Sequence, residues 1–462
     1  MGDHDDIGDR LRAFLERALD RDGLEVRDLR RLSGGASRET WSFDLLDAVR
    51  GGTEPLVLQR IRAGTMGGAV SMEAEARLLR AAAAAGVPVA PVVAASDDVA
   101  VVGSPFLVMV RLEGETIARR IQRDDEFVTA RGRLVSQCAE ALAAVHRVPL
   151  ADAAHLQPQE PIRQLRDLID VLGQPHPAFE LGLRWLEEHR PPPSPTTVVH
   201  GDFRLGNFMI DEQGLRAVLD WELAHLGDPM EDLGWLCVRA WRFGSDLPVA
   251  GVGEYDELFS AYAAASGVAV DPETVRWWEI LGTLRWGVIC IMQASAHLTG
   301  ASRSVELAAI GRRVCENEYD VLCLLGARDL ANSSRGGFEP DGPPVSLHDA
   351  PSATELIEAV REFIEGDVMA ATDGRVQFHA RIAARVLAMV ERELADPSAV
   401  GLHRSRLATL GMADDRELAA AIRAGQPDVL GPVATYLIWL AVLEKVRVAN
   451  PGYLRSEDQL PD

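Results

Sequence analysis

Apolar and polar positions follow two different periods along this chain, and the change of period divides it. In residues 9–20 (DRLRAFLERALD), Leu11, Phe14, Leu15 and Leu19 fall on one helical face. Shorter apolar runs follow at Leu29–Leu32, Thr40–Leu45 and Pro55–Ile61, each of strand length. Ser33-Gly34-Gly35-Ala36-Ser37, between the first two, reads as a flexible hairpin loop. Residues 71–85 (SMEAEARLLRAAAAA) return to a helical pattern, closed by Gly86 and Pro88. Two more short strands are expected within Val99–Val110, around Gly103-Ser104-Pro105. The order β-β-β-α-β-β predicts a small antiparallel sheet with one helix.

Beyond Gly114 the helical period dominates. Helices are expected over 131–146, 178–190, 231–242, 254–266, 272–298 and 303–327, with strand-loop-strand pieces in 197–220. Residues 331–351 change to a Gly-, Pro- and Ser-rich composition and read as a linker. Ser352-x-x-Glu355 resembles a capping box, followed by Leu356, Val360, Phe363 and Ile364 on one face. Phe378, Ile382, Val386 and Met389 form a second stripe, and later helices complete a bundle of about five. The expected organisation is a β-rich lobe over 1–112, a mainly helical lobe over 113–330, the linker, a helical domain over 352–452 and a tail over 453–462.

Composition narrows the function classes. Of 462 residues, 47% are hydrophobic and 25% charged, as in a globular protein able to bury cores. Asp and Glu number 70 against 47 Lys and Arg, a formal charge of −23 that argues against a nucleic-acid binder. No apolar run approaches the ~18 residues of a membrane span, and MGDHDDIGDR lacks the regions of a signal peptide. The five cysteines show no close pairing and sit in apolar contexts, so free buried thiols and a cytoplasmic location are expected. Only one lysine occurs, Lys445, so no earlier position can supply a lysine to a site.

The strongest chemical signal is His200-Gly201-Asp202-Phe203-Arg204-Leu205-Gly206-Asn207, followed thirteen residues after Asn207 by Asp220-Trp221-Glu222. One loop thus presents a carboxylate and, five residues on, a carboxamide, and a strand end delivers a second carboxylate. Phosphoryl transfer from a nucleotide needs this set: one Asp to take the proton of an attacking hydroxyl, and Asn with the other Asp to hold magnesium. Oxygen ligands in small number suit that ion, whose shell phosphate and water complete. The Asp202-to-Asn207 spacing equals that of the protein-kinase catalytic loop.

HGDFRLGN and DWELAHLGDPMEDLGW resemble the signature of the aminoglycoside phosphotransferase and choline-kinase-like family. Within it, the chain is most similar to the subgroup related to the kinase-like region of acyl-CoA dehydrogenase fusions, over about residues 9–328. Residues 350–450 resemble a helical domain of unknown function that follows such kinases. The resemblance implies a protein-kinase-like two-lobed α+β fold followed by an all-α bundle, with ATP (GTP as the alternative) and Mg2+ as cofactors. It implies Asp202 as catalytic base, Asn207 and Asp220 as metal ligands, and His200 and Asp232 as braces of the catalytic loop. Asp228 reads as a turn former and Trp221 as packing.

The N-terminal lobe departs from the kinase pattern. There is no G-x-G-x-x-G; Gly34, Gly35 and Ser37 are the residues left to lay backbone near phosphates. The third-strand lysine is missing, and in Leu56-Val57-Leu58-Gln59-Arg60 either Gln59 or Arg60 stands nearest its place. Strand alternation allows only one to face the nucleotide. Arg60 is favoured for its permanent forked charge, with Glu75 as its partner and Glu73 as the competing choice. Met109 and Arg111, in Met109-Val110-Arg111-Leu112-Glu113-Gly114, match the adenine-binding hinge. His146 reads as a helix-end residue. Trp235, Arg239, Trp241, Arg242, Trp277, Trp278, Arg285 and Trp286 supply core, with some left to hold a substrate having an apolar body and an anionic end.

Three readings remain: a small-molecule kinase acting on a hydroxyacyl thioester, an aminoglycoside-like or another hydroxylated compound; a protein kinase; and a catalytically silent nucleotide-binding scaffold. Only residues 221–228 separate Asp220 from Pro229, too few for an activation segment, which disfavours the second. The expected partners are a nucleotide and a small substrate, without nucleic acid or membrane. Self-association through the C-terminal helices is the further option.

Overall fold

The computed structural model describes residues 3–32, 38–61, 71–302, 305–328, 353–455 and 458. By its contacts the chain divides into two compact units, Met1–Gln159 with Pro192–Trp278, and Glu160–Pro191 with Glu279–Asp462. This division differs from the boundary expected near residue 330. Helices Pro177–Glu188 and Val314–Leu324 contribute Ala178, Tyr319 and Leu322 to one core with Leu418, Ile438, Trp439 and Val442 of the C-terminal helices. The expected linker lies outside the described residues.

The first unit opens with helix α1 (Asp3–Leu19) and a five-stranded sheet: β1 (Leu24–Arg31), β2 (Arg38–Asp47), β3 (Thr53–Ile61), β4 (Val92–Ser96) and β5 (Phe106–Val110), in the order β1-β2-β3-β5-β4. The ladders are antiparallel. One strand was misplaced by periodicity: Val99–Val102 forms a helical turn capped by Asp98, and the extra strand lies earlier, at Val92–Ser96. Four consecutive residues closed by Gly103 in the left-handed conformation satisfy a turn better than a ladder. The helix α2 (Met72–Ala85) follows the predicted signals, with the Ser71 side chain accepting from Ala74 N–H and Gly86 ending it at φ 98°.

Side chains of β2 and β3 alternate between the two sheet faces. Trp41, Phe43, Leu56 and Leu58 enter one core with Leu11 and Leu15 of α1. Thr40 pairs with Gln59 and Arg38 with Ile61, so these four share the opposite face. Glu39 pairs with Arg60 and therefore stands on the α1 side. Gln59 and Arg60 therefore face opposite sides of the sheet.

After the sheet, helix Val128–Val145 packs with helix Tyr255–Ser266 and with β8 (Gly214–Val218), which pairs with β7 (Phe208–Asp211), while β6 (Thr197–Val199) pairs with β9 (His225–Gly227). In the second unit, Glu180 is buried and accepts from Arg166 and Arg423, and Arg423 also pairs with Asp170 at 2.8 Å. Helix Pro161–Leu172, which carries Arg166 and Asp170, escaped the sequence reading. The stripe Leu356, Val360 and Phe363 forms a helix as expected but stays exposed, at 55%, 50% and 57%. The Ser352 cap lies outside the described residues. All five cysteines are free, four buried and Cys323 partly so. Among the described residues no helix is long and apolar enough to cross a membrane.

Candidate active site

The HGD loop leaves β6 and turns at Gly201, whose φ of +78° belongs to the left-handed region. A Cβ there would stand 2.5 Å from the Leu223 carbonyl oxygen and 3.2 Å from His225 Nδ1. Backbone conformation and space together require glycine. Gly201→Ala is therefore expected to cost at least about 1–3 kcal/mol from the strained backbone alone; thermal unfolding measures this, and an unchanged midpoint contradicts it.

Buried side chains hold the loop from behind. Asp232, fully buried, accepts from His200 N–H at 2.8 Å and Gly201 N–H at 2.9 Å. His146 Nε2 lies 3.2 Å from the same carboxylate, and its Nδ1 lies 2.8 Å from the Tyr262 hydroxyl. Burial works against the Asp232 charge, but His146 and the loop outweigh it and the carboxyl is held below its usual range. His200 Nδ1 accepts from Asp202 N–H, which leaves Nε2 as the donor to the Leu219 carbonyl at 3.1 Å. Burial lowers the His200 pKa and keeps this ring neutral. Trp221 packs edge-on against it, 4.8 Å between centroids. His200, Asp232 and Trp221 thus occupy supporting positions. Asp228 accepts from Met230 N–H at the following turn.

At the loop's working end, Asp202 is 9% exposed and receives three side-chain donors. Arg204 Nε and Trp235 Nε1 both donate to Oδ1 at 2.9 Å, and Asn207 Nδ2 donates to Oδ2 at 2.5 Å. Asn207 Nδ2 also donates to the Asp202 carbonyl at 3.0 Å, so the amide is oriented and its Oδ1 remains as an oxygen donor. The sequence did not identify Trp235 as part of this set. It stands in a helix, Met230–Cys237, whose residues are all buried, and nothing in its spacing separates it from packing tryptophans. Arg204 continues over the Trp241 ring at 4.5 Å.

Asp220 leaves β8 with φ +62°, a left-handed conformation unusual outside glycine but tolerated by aspartate. Desolvation by surrounding protein and the charge of Glu222 push its carboxyl up to about 6, against the pull of Arg38. Asn207 Oδ1 and the Asp220 carboxylate are a hard, oxygen-only donor pair of the kind magnesium takes. Among the described residues no group of three or more His, Cys, Asp or Glu could hold a metal alone. The donor set fits an ion that shares its shell with phosphate.

The N-terminal lobe corrects one expectation. Arg60 does not meet Glu75: its Nε and Nη2 pair with Glu39 at 2.8 Å, Nη1 donates to the Val102 carbonyl at 2.7 Å, and the guanidinium lies over Trp41. It stands on the α1 face. Glu75 instead takes Arg38, Nη1 to Oε1 at 2.6 Å and Nη2 to Oε2 at 2.7 Å, with Arg38 8% and Glu75 6% exposed. Arg38 Nε lies 3.3 Å from Glu222. Removing one partner of a buried pair costs about 3–5 kcal/mol. Glu73 turns to the Asp97 backbone. At the hinge, Met109 pairs with Val57 of β3, while Arg111 donates its N–H to the Pro55 carbonyl and its Nη2 to Asp44. Arg111 is thus tied to the sheet by both backbone and side chain. Gly34, Gly35 and Ser37 lie outside the described residues.

Comparison with known proteins places this geometry. Residues 28–278 match the phosphotransferase enzyme family, and residues 370–453 match a domain of unknown function. Mouse acyl-CoA dehydrogenase family member 10 is 28% identical over 332 residues, covering 66% of this chain and 30% of the relative. Chicken acyl-CoA dehydrogenase family member 11 is 23% identical over 383 residues, covering 76% of this chain and 47% of the relative. The chain thus spans about a third to a half of these relatives' length. A crystal structure from Ralstonia eutropha, described as a candidate aminoglycoside phosphotransferase, superposes with a TM-score of 0.54 at 22% identity, covering 67% of this chain and 95% of that one. The match of more than half the chain to one family, over a fold shared with a solved neighbour, shows that the chain belongs to the phosphotransferase enzyme family.

Proposed function

We propose that this chain is an ATP- and magnesium-dependent kinase that transfers the γ-phosphoryl group to a hydroxyl of a small metabolite. The observation that carries the reading is the Asp202 carboxylate, fixed by Arg204, Trp235 and Asn207 beside the oxygen donors of Asn207 and Asp220. Asp202 takes the proton of the acceptor hydroxyl as that oxygen bonds to the γ-phosphorus and the β–γ bridge oxygen leaves with ADP. Arg204 and Trp235 keep the carboxylate aimed through their bonds to Oδ1. Asn207 and Asp220 hold magnesium, which when bound supplies positive charge against the phosphate oxygens.

For the acceptor, a hydroxylated acyl thioester is the class we infer first. The curated relatives carry acyl-CoA dehydrogenase in their names. Beside Asp202, Arg204 stacks on Trp241, itself 5.2 Å from Trp235. Aromatic rings and a guanidinium suit an apolar body with an anionic end better than a polycation. A panel of hydroxyacyl thioesters and aminoglycosides incubated with ATP and magnesium, scored by mass spectrometry, tests the choice. Phosphorylated thioester supports it, and phosphorylation of aminoglycosides alone overturns it.

A further inference from the structure

We infer that Arg38, on β2, is the phosphate-contacting cation of this enzyme, doing from the neighbouring strand what a lysine on β3 does elsewhere; this rests on the kinase reading above. Three observations converge. The position nearest the expected lysine that faces α2 is Gln59, which carries no charge. Arg38 lies diagonally across the β2–β3 ladder from Gln59 on the same face, because Arg38 pairs with Ile61 and Gln59 with Thr40. Diagonal neighbours on a ladder are about 7–8 Å apart, within the reach of long side chains.

The partners complete the argument. Glu75, in the position expected to orient the missing lysine, is already engaged by Arg38 through both terminal nitrogens. Arg38 Nε approaches Glu222, two residues beyond Asp220, so one guanidinium links α2 to the strand end that carries the proposed metal ligand. Arg60 is excluded from the role, since Glu39 and Val102 hold it on the α1 face. A bidentate Arg–Glu pair fixes the guanidinium plane, and an arginine is charged at every working pH, so the cation is preorganised before nucleotide arrives.

The test is a cation transplant in the full chain. Arg38→Gln is expected to weaken MgATP binding and cut turnover by roughly 100-fold together, the scale for removing one preorganised donor. Adding Gln59→Lys to Arg38→Gln should recover at least about 10-fold of that loss, because the new ammonium enters from the diagonal position and meets Glu75. A merely structural Arg38 would lose and regain activity only in step with stability, so thermal unfolding of each variant is read beside MgATP affinity and turnover. Arg38→Gln with Glu75→Gln, which leaves no buried charge unpaired, serves as the folding control by thermal unfolding; a folded control that keeps wild-type MgATP affinity and turnover overturns the inference. Absence of rescue in a folded Arg38→Gln/Gln59→Lys protein also overturns it. A wild-type protein that neither binds nor consumes MgATP would instead sink the kinase reading itself.

Discussion

Asp202→Ala cuts turnover by at least ~100-fold while leaving MgATP affinity within a few-fold of wild type, the low end expected when a positioned proton acceptor is lost. The expectation follows from what Asp202 touches. Its two oxygens receive Arg204, Trp235 and Asn207, and none of these partners belongs to the sheet or to α2. Alanine removes the carboxylate that those three donors share, so Asp202→Asn is the companion variant: it keeps the shape but cannot take a proton at neutral pH. Both should fail in turnover. An Asn variant of wild-type rate would remove Asp202 from the chemistry.

Asp220→Ala acts on binding instead. Wild-type protein should bind ATP more tightly with magnesium than without it, and the variant should lose that increment. The loss should be at least about 10-fold, the low end for disturbing even the groups that support a metal ligand. The φ of +62° at Asp220 makes alanine a strained replacement, so Asp220→Asn, which tolerates the same backbone, separates lost charge from lost geometry. Calorimetry with ATP, with and without magnesium, reads the difference directly. Equal magnesium dependence in wild type and both variants would contradict the role.

The conformation of the HGD loop was legible because its residue types are set by local geometry. Gly201 is demanded by a left-handed turn against Leu223, Asp232 by two buried N–H groups, and Asp202 and Asn207 by their mutual bond. Each requirement leaves one residue type at one spacing. The sheet was legible for the opposite reason, since alternation of Trp41, Phe43, Leu56 and Leu58 marks a buried face whatever the enzyme does.

The cation was not legible. Charge and fork geometry favoured Arg60 over Gln59, yet the face a strand residue takes depends on register with its neighbours, and the Glu39–Arg60 pairing is a long-range fact. Arg38 carried no signal of its own: it falls between the expected loop 33–37 and the expected strand Thr40–Leu45, and only the ladder places it opposite Ile61. Trp235 was hidden by the same logic, because a tryptophan on a buried helix is ordinarily core and only its Nε1 partner shows otherwise. The division of the chain was obscured because helices of the expected second lobe share apolar surface with the C-terminal helices, and periodicity cannot say which stripe meets which.

Phosphorus NMR of the full chain with ATP, magnesium and a hydroxyacyl thioester tests the central claim most directly. The account predicts that the γ-phosphate resonance declines as a phosphomonoester resonance and ADP grow in equal measure, and that Asp202→Asn shows neither change. Formation of phosphomonoester at the same rate by wild type and Asp202→Asn would contradict it.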